Sequence, residues 1–243
     1  MNIILEGIVG STAYGMDTEN SDIDVAGIFL HPTKQILGLS KLDESVVTTN
    51  PDSTYHELKK FASLAIKANP TVLELLFLDS YTIETELSNV LLSQRKAFLS
   101  TSTVFNSYYG YAMSQQSRLF SNRSYGKTER QEKLVRHAAR LLWQGEQLLL
   151  TGNLPLHVGN KRDEFFHVGT LLSEQNRVEL LHYFDSAMNR LDQAQHNSCL
   201  PEEPHTGVIS DFLIYARLKE LQHSGGLRFY PTHALTPDRS LRT

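Results

Sequence analysis

The feature that most constrains the fold is a glycine-serine pair followed, after a gap of ten residues, by two closely spaced aspartates. One short apolar run ends at Gly10 and Ser11, and a second apolar run begins at Asp22 and Asp24. Short apolar runs bounded by polar and turn residues are typical of strands. The window therefore predicts two neighbouring strands joined by a polar loop, and with it a sheet-based α/β fold.

The glycine-serine pair has the chemistry of a phosphate-binding turn. Glycine has no Cβ, so the backbone at Gly10 can approach a phosphate group closely. The hydroxyl of Ser11 and the amides that follow it can donate hydrogen bonds to phosphate oxygens. We therefore expect this turn to hold the triphosphate of a nucleotide.

The two aspartates have the chemistry of a metal site. Side chains two residues apart in a strand point to the same face, so Asp22 and Asp24 are expected to lie side by side. A divalent cation relieves the repulsion between two such carboxylates, and Mg²⁺ is the usual cation where carboxylates and phosphates share the ligand shell. The pair predicts Mg²⁺ or Mn²⁺ bound together with an NTP substrate. The alternative is a surface loop whose aspartates are solvated or bind Ca²⁺.

Taken together, these residues resemble the signature of the DNA polymerase beta superfamily of nucleotidyltransferases. Gly-Ser-x-Ala-Tyr-Gly at 10–15 and Ser-Asp-x-Asp-x-x-Gly at 21–27 are similar to one branch, the RNA repair pathway DNA polymerase beta family. The resemblance implies transfer of a nucleoside monophosphate from an NTP to an acceptor hydroxyl, with release of pyrophosphate and an RNA 3′ end as the favoured acceptor. It assigns nucleotide binding to Gly10, Ser11 and Ser21, and metal binding to Asp22 and Asp24.

The superfamily also uses a third carboxylate, which binds the catalytic metal and accepts the proton of the attacking hydroxyl. The string at 56–61, His-Glu-Leu-Lys-Lys-Phe, lies where a predicted strand runs into a helix and resembles a string of the branch. On this basis we assign the third metal-ligand role to Glu57, with Asp52 as the alternative. The purely structural interpretation is that Glu57 stabilises the first turn of the helix. The other acids in the region are Asp43 and Glu44.

The most basic segment of the chain, 118–140, overlaps a predicted helix over 128–152. In that helix Lys133, His137 and Arg140 are four and three residues apart and share one face. The branch has a similar Lys-x-x-x-His-x-x-Arg helix, which implies that this face binds the triphosphate or the acceptor strand. Neighbouring cations are expected to lower the pKa of His137 and keep it neutral. The alternative is a solvated face paired with nearby glutamates.

The chain is predicted to divide into three regions. Residues 1–80 form the nucleotidyltransferase core, a mixed sheet of roughly four or five strands backed by helices. Residues 81–225 form a helical domain that closes the cleft, and residues 226–243 form an irregular tail. The branch also has a string similar to the one at 69–76, which contains Glu74, so this glutamate either orients a group in the cleft or lies on the surface.

Composition excludes several classes of protein. The net charge of −4 argues against a broadly basic nucleic-acid surface but allows a local basic patch. A single cysteine, Cys199, excludes an intrachain disulfide and a cysteine zinc site. No apolar stretch is long enough to span a bilayer, and the first residues lack the pattern of a signal peptide. We therefore expect a cytoplasmic protein without a membrane partner.

Two other functions fit the same residues. One is transfer of AMP to a protein hydroxyl, as small antitoxin-type members of the superfamily do. The other is an inactive nucleotide-binding regulatory module that keeps the fold. The intact Ser11, Asp22 and Asp24 argue against the inactive module.

Overall fold

The computed structural model describes residues 1–19, 21–49, 51–120, 128–173 and 176–226. Within these ranges the chain forms a five-stranded mixed sheet and ten α-helices, so the predicted α/β class is confirmed. The strands are β1 (Asn2–Val9), β2 (Asp24–Leu30), β3 (Ser45–Thr49), β4 (Asp52–Glu57) and β5 (Ile83–Glu84). The helices are α1 (Gly10–Tyr14), α2 (Thr33–Leu37), α3 (Leu58–Ala65), α4 (Pro70–Leu73), α5 (Glu86–Ser93), α6 (Thr101–Phe120), α7 (Thr128–Thr151), α8 (Arg162–Ser173), α9 (Arg177–His196) and α10 (Thr206–His223).

The strand order in the sheet is β3-β4-β2-β1-β5. Strands β2 and β4 are parallel, and the other neighbouring pairs are antiparallel. Val9 at the end of β1 lies opposite Asp24 at the start of β2, and Asp24 also lies opposite Asp52 at the start of β4. The end of β1 and the beginnings of β2 and β4 therefore meet at one edge of the sheet.

Strand β2 is shorter than the sequence pattern indicates. It begins at Asp24, so Asp22 precedes the strand and lies in the loop that leads into it. The expectation that both aspartates belong to the strand is wrong for Asp22, because pairing with β1 starts only at Val9 and Asp24.

The sheet and most of the helices contribute to one large apolar core. Helix α3 illustrates how the sequence builds it, since Leu58, Phe61, Ala62 and Ala65 are buried and recur at the spacing of one helix face. The same core joins residues of the sheet, such as Leu5, to residues of the long helices, such as Leu141 and Phe184.

The predicted division into domains stays a prediction. Strand β5 lies after residue 80, and the chain from Glu86 to His223 is helical where it has regular structure. Most of the predicted tail, residues 227–243, lies outside the described residues. Among the helices of the described chain, none combines the length and the apolar character needed to cross a membrane.

Candidate active site

A cleft of 840 Å³ opens at the edge of the sheet where β1, β2 and β4 meet. One wall is formed by the ends of these strands, and the opposite wall is formed by α7. The cleft brings together eight of the nine residues that the sequence assigned to the site. They are Gly10, Ser11, Ser21, Asp22, Asp24, Lys133, His137 and Arg140.

Three carboxylates lie at the strand end of the cleft. Asp24 and Asp52 are opposite each other in the register of β2 and β4, and Asp22 precedes Asp24 by two residues. Burial raises the pKa of Asp24; the charge of Lys133 opposes this shift, and the charges of Asp52 and Asp22 add to it. Asp22 and Asp52 are therefore both close enough to repel Asp24, and Lys133 faces Asp24 across the cleft.

The chain position next to Asp24, residue 10, requires a glycine. Its φ angle of 70° lies in the left-handed region that favours glycine. A Cβ at this position would also overlap the carboxylate of Asp24. The glycine therefore lets the end of β1 turn directly into α1 while Asp24 occupies the space beside it. Ser11, the next residue, lies in α1 and also lines the cleft.

The loop between α1 and β2, which contains Asp22, is held by side-chain hydrogen bonds at both of its ends. The backbone N–H of Thr18 donates to the hydroxyl of Ser21 at 2.9 Å, and the N–H of Ser21 donates to the carbonyl of Thr18. At the other end, Arg162 of α8 donates to the carbonyls of Gly15 and Asp17. Ser21 therefore shapes the turn before Asp22, in addition to lining the cleft.

Glu57, the ninth predicted residue, does not lie in this cleft. Because β2 and β4 are parallel, Glu57 at the end of β4 lies opposite Phe29, at the other end of the sheet from Asp24. Its carboxylate accepts a hydrogen bond from the backbone N–H of Lys59 at 2.8 Å, and it pairs with Arg217 of α10. The predicted placement of Glu57 beside the two aspartates is wrong. Glu57 caps α3, and the third acid at the cleft is Asp52.

The predicted face of α7 reaches the cleft, but its members have different surroundings. Lys133 is exposed and makes no ion pair with any described residue. Arg140 is only 1% exposed, and its Nη1 donates to Gln144 at 2.5 Å and to Glu74 at 3.4 Å. The guanidinium also lies 3.5 Å from the centre of the Tyr14 ring. Arg140 is therefore engaged by protein groups, whereas Lys133 is available to a ligand.

His137 is neutral at physiological pH, as the sequence indicates. Burial lowers its pKa to about 3, and the charges of Arg140 and Lys133 act in the same direction. Its Nδ1 lies 3.1 Å from Nη2 of Arg140, which can only donate, so Nδ1 accepts and Nε2 carries the proton. Burial thus contributes more to the shift than the neighbouring cations on which the sequence argument relied.

Two further cations of α7 line the cleft and were not singled out from the sequence. Arg130 is exposed and forms no ion pair within the described chain, while Arg136 lies 3.6 Å from Glu132 and stacks on Phe166. They lie three residues before and three residues after Lys133, and this helical spacing could have predicted that they share the face of Lys133. Part of the basic segment, residues 121–127, lies outside the described residues.

The donor set at the cleft suits Mg²⁺ in the company of a nucleotide. Among the described residues, no group of three or more histidine, cysteine, aspartate or glutamate side chains is arranged to hold a metal alone. Mg²⁺ is commonly bound through one or two carboxylates, with substrate phosphates and water completing the shell. The oxygen ligands of Asp22, Asp24 and Asp52, next to an open cleft, fit that mode of binding.

Comparison with known proteins identifies the family. A solved structure of a nucleotidyltransferase-like protein from Exiguobacterium sibiricum aligns with 98% of this chain and 79% of its own, at 13% identity and a TM-score of 0.29. No curated protein sequence matches the chain significantly. Residues 1–200 match the profile of the RNA repair pathway DNA polymerase beta family. The chain therefore belongs to that family, within the DNA polymerase beta superfamily of nucleotidyltransferases.

Proposed function

We propose that this protein is a metal-dependent nucleotidyltransferase that moves a nucleoside monophosphate from an NTP to the 3′ hydroxyl of an RNA. The observation that carries the proposal is the register of β2 and β4, which aligns Asp24 with Asp52 beside the Gly10 turn. Family membership supports the reaction class, and the name of the family supports RNA as the acceptor.

The nucleotide binds between the Gly10-Ser11 turn and α7 in this proposal. Ser11 donates its hydroxyl to the phosphates, and Lys133 neutralises part of their charge from the opposite wall. His137 is neutral, so its protonated Nε2 serves as a hydrogen-bond donor and not as a cation. The exposed Arg130 extends the basic wall beyond Lys133 and suits the backbone of an acceptor strand.

Asp22, Asp24 and Asp52 would hold the metal together with the phosphates of the NTP, and Mg²⁺ is the favoured ion, with Mn²⁺ as a substitute. When bound, the metal supplies charge neutralisation at the phosphates and favours ionisation of the acceptor hydroxyl. Asp22 and Asp52 repel Asp24 without it. Binding of metal and NTP is expected to be coupled, because the phosphates of the NTP would share the ligand shell of the metal with these carboxylates.

The transfer step forms one bond to phosphorus, breaks another, and moves one proton to a side chain of this protein. The acceptor oxygen forms a bond to the α-phosphorus of the NTP, and the bond from that phosphorus to the bridging oxygen breaks to release pyrophosphate. Asp52 accepts the proton of the acceptor hydroxyl in this proposal, because it is the third carboxylate at the cleft and lies on the strand next to that of Asp24. We expect this reaction in the cytoplasm.

The test is to incubate the protein with each α-labelled NTP, Mg²⁺ and one of three acceptors. The acceptors are RNA with a free 3′ hydroxyl, the same RNA after periodate oxidation of its 3′ end, and a mixture of cellular proteins. The proposal predicts label on the first RNA alone. Label from ATP on protein would show an AMP-transferring enzyme, and no label from any NTP would favour the inactive regulatory module.

A further inference from the structure

We propose that Tyr14, Glu74 and Arg140 form a positioning network that holds the Gly10-Ser11 turn against α7, an inference that deepens and rests on the proposed function. Its members touch no reacting atom. Their role is to fix where the phosphate-binding turn lies relative to Lys133.

The network is a closed set of contacts around one carboxylate oxygen. The hydroxyl of Tyr14 donates to Oε1 of Glu74, and Nη1 of Arg140 donates to the same oxygen at 3.4 Å. The guanidinium of Arg140 also stacks on the ring of Tyr14, with its central carbon 3.5 Å from the ring centre. Each of the three side chains therefore contacts both of the others.

The three residues belong to distant segments that meet at the cleft. Tyr14 is the last residue of α1 and follows Ser11 by three positions, so it anchors the far end of the turn. Glu74 begins the turn that follows α4. Arg140 lies seven residues after Lys133 on α7, about two helical turns along the same helix. The network thus connects the segment with Ser11 directly to the helix with Lys133.

The network is isolated from solvent, which makes its geometry specific. Arg140, Glu74 and Tyr14 are 1%, 3% and 8% exposed. On its other side Arg140 donates to Gln144, whose side-chain amide donates to the carbonyl of Pro155 at 2.8 Å. A buried ion pair is in general no more stabilising than well-packed apolar side chains of the same size. The network therefore serves mainly to fix the position of α1 relative to α7 at the edge of the cleft, and not to add stability.

The consequence for the reaction is positional. A displacement of about 1 Å in groups that bind a substrate can reduce turnover roughly a hundredfold, even when the displaced groups are distant from the chemistry. Loss of one network contact would free α1 to shift relative to α7. Catalysis would then fall in a protein that is still folded.

The chain offers two matched pairs of substitutions for the test. Tyr14→Phe and Tyr108→Phe each remove one buried phenol oxygen, but the hydroxyl of Tyr108 has no hydrogen-bond partner among the described residues. Glu74→Gln and Glu57→Gln each neutralise a buried glutamate paired with an arginine, but Glu57 lies away from the cleft. Tyr108→Phe and Glu57→Gln are therefore the controls.

Two readouts decide the question, at a temperature where circular dichroism shows every variant to be folded. The first is kcat/KM for the NTP, which we expect to fall about 10- to 100-fold in Tyr14→Phe and Glu74→Gln and to stay unchanged in the controls. The second is hydrogen exchange of peptides covering residues 10–16, which we expect to become faster in the same two variants alone.

The two readouts separate this inference from the proposed function. If the wild-type protein transfers no label, the proposed function fails, while the exchange of residues 10–16 still shows whether the network holds the turn. The inference is overturned if exchange there is the same in Tyr14→Phe and Tyr108→Phe. It is also overturned if both members of each pair lose kcat/KM equally. Should Glu74→Gln not fold, the tyrosine pair decides.

Discussion

Asp24 and Asp52 lie side by side as the first residues of two parallel strands, at the edge of the sheet where the chain also makes its glycine-serine turn. Burial raises the pKa of Asp24, and the carboxylates of Asp52 and Asp22 raise it further. The protein thus keeps mutually repelling charges at one point of its surface. Such an arrangement is expected where function, and not stability, selects the residues.

The first prediction concerns the free-energy cost of keeping Asp24 ionised in the folded protein, to which burial contributes most and the neighbouring acids contribute further. The folded state raises the pKa of Asp24, so its ionised form destabilises the fold at neutral pH, and this cost disappears as the carboxylate is protonated. Asp24→Asn removes this cost, so the metal-free variant should be as stable as the wild type or more stable. It should also abolish transfer, because it removes a proposed ligand of the metal. Urea unfolding at neutral pH and below the ordinary aspartate pKa of about 3.9 checks it. A less stable variant at neutral pH would contradict the prediction.

The second prediction concerns the third acid. Asp52→Asn should reduce kcat by about 10²- to 10⁴-fold, the usual effect of losing a positioned base. Glu57→Gln should leave kcat unchanged and instead lower the free energy of unfolding by about 1–3 kcal/mol, because Arg217 loses a charged partner. Steady-state kinetics and chemical unfolding of both variants check this. The opposite assignment of effects would restore Glu57 as the third acid.

The third prediction concerns Gly10. An added methyl group would overlap the carboxylate of Asp24 and would strain a backbone with φ of 70°. Gly10→Ala should therefore abolish transfer and destabilise the fold by about 1–2 kcal/mol. Gly110→Ala is the control, since a Cβ there meets no atom within 4 Å and alanine favours a helix. Equal activity in the two variants would show that the space beside Asp24 is not required.

The fourth prediction concerns His137 and pH. Burial lowers its pKa to about 3 in the folded protein, with Arg140 and Lys133 adding to the shift. The unfolded chain binds the proton at its ordinary pKa of about 6.5, so this residue destabilises the fold as pH falls below that value. From neutral pH to about pH 5 the loss is about 2 kcal/mol.

The matched variant for this effect is His137→Gln, which has an oxygen that can accept from Arg140 but no titrating group. Its free energy of unfolding should fall less than that of the wild type over the same pH range. Equilibrium unfolding of both proteins at several pH values measures the difference. Parallel pH profiles would show that His137 titrates normally.

The sequence was sufficient for the parts of the site that depend on local chain geometry. The apolar runs around the glycine-serine turn predicted β1 and β2, and helical spacing predicted α7 and the shared face of Lys133 and His137. These inferences need only the periodicities of strand and helix.

The errors arose where the answer depends on how distant segments meet. Had β4 paired antiparallel with β2, its last residue, Glu57, would have lain beside Asp24. The parallel pairing brings its first residue, Asp52, there instead. Spacing along α7 likewise predicted the helix face on which Arg140 lies. It could not predict that Arg140 is buried against Glu74, which is 66 residues away in the sequence.

The most direct test of the central claim is transfer of label from α-labelled and γ-labelled NTP to RNA by the wild type, Asp24→Asn and Asp52→Asn. We predict that the wild type transfers the α-label and never the γ-label to RNA with a free 3′ hydroxyl, and that chelation of divalent metal stops the transfer. Asp24→Asn should be inactive, and Asp52→Asn should transfer the label about 10²- to 10⁴-fold more slowly. Transfer that persists in Asp24→Asn, or that persists after chelation, would contradict the account.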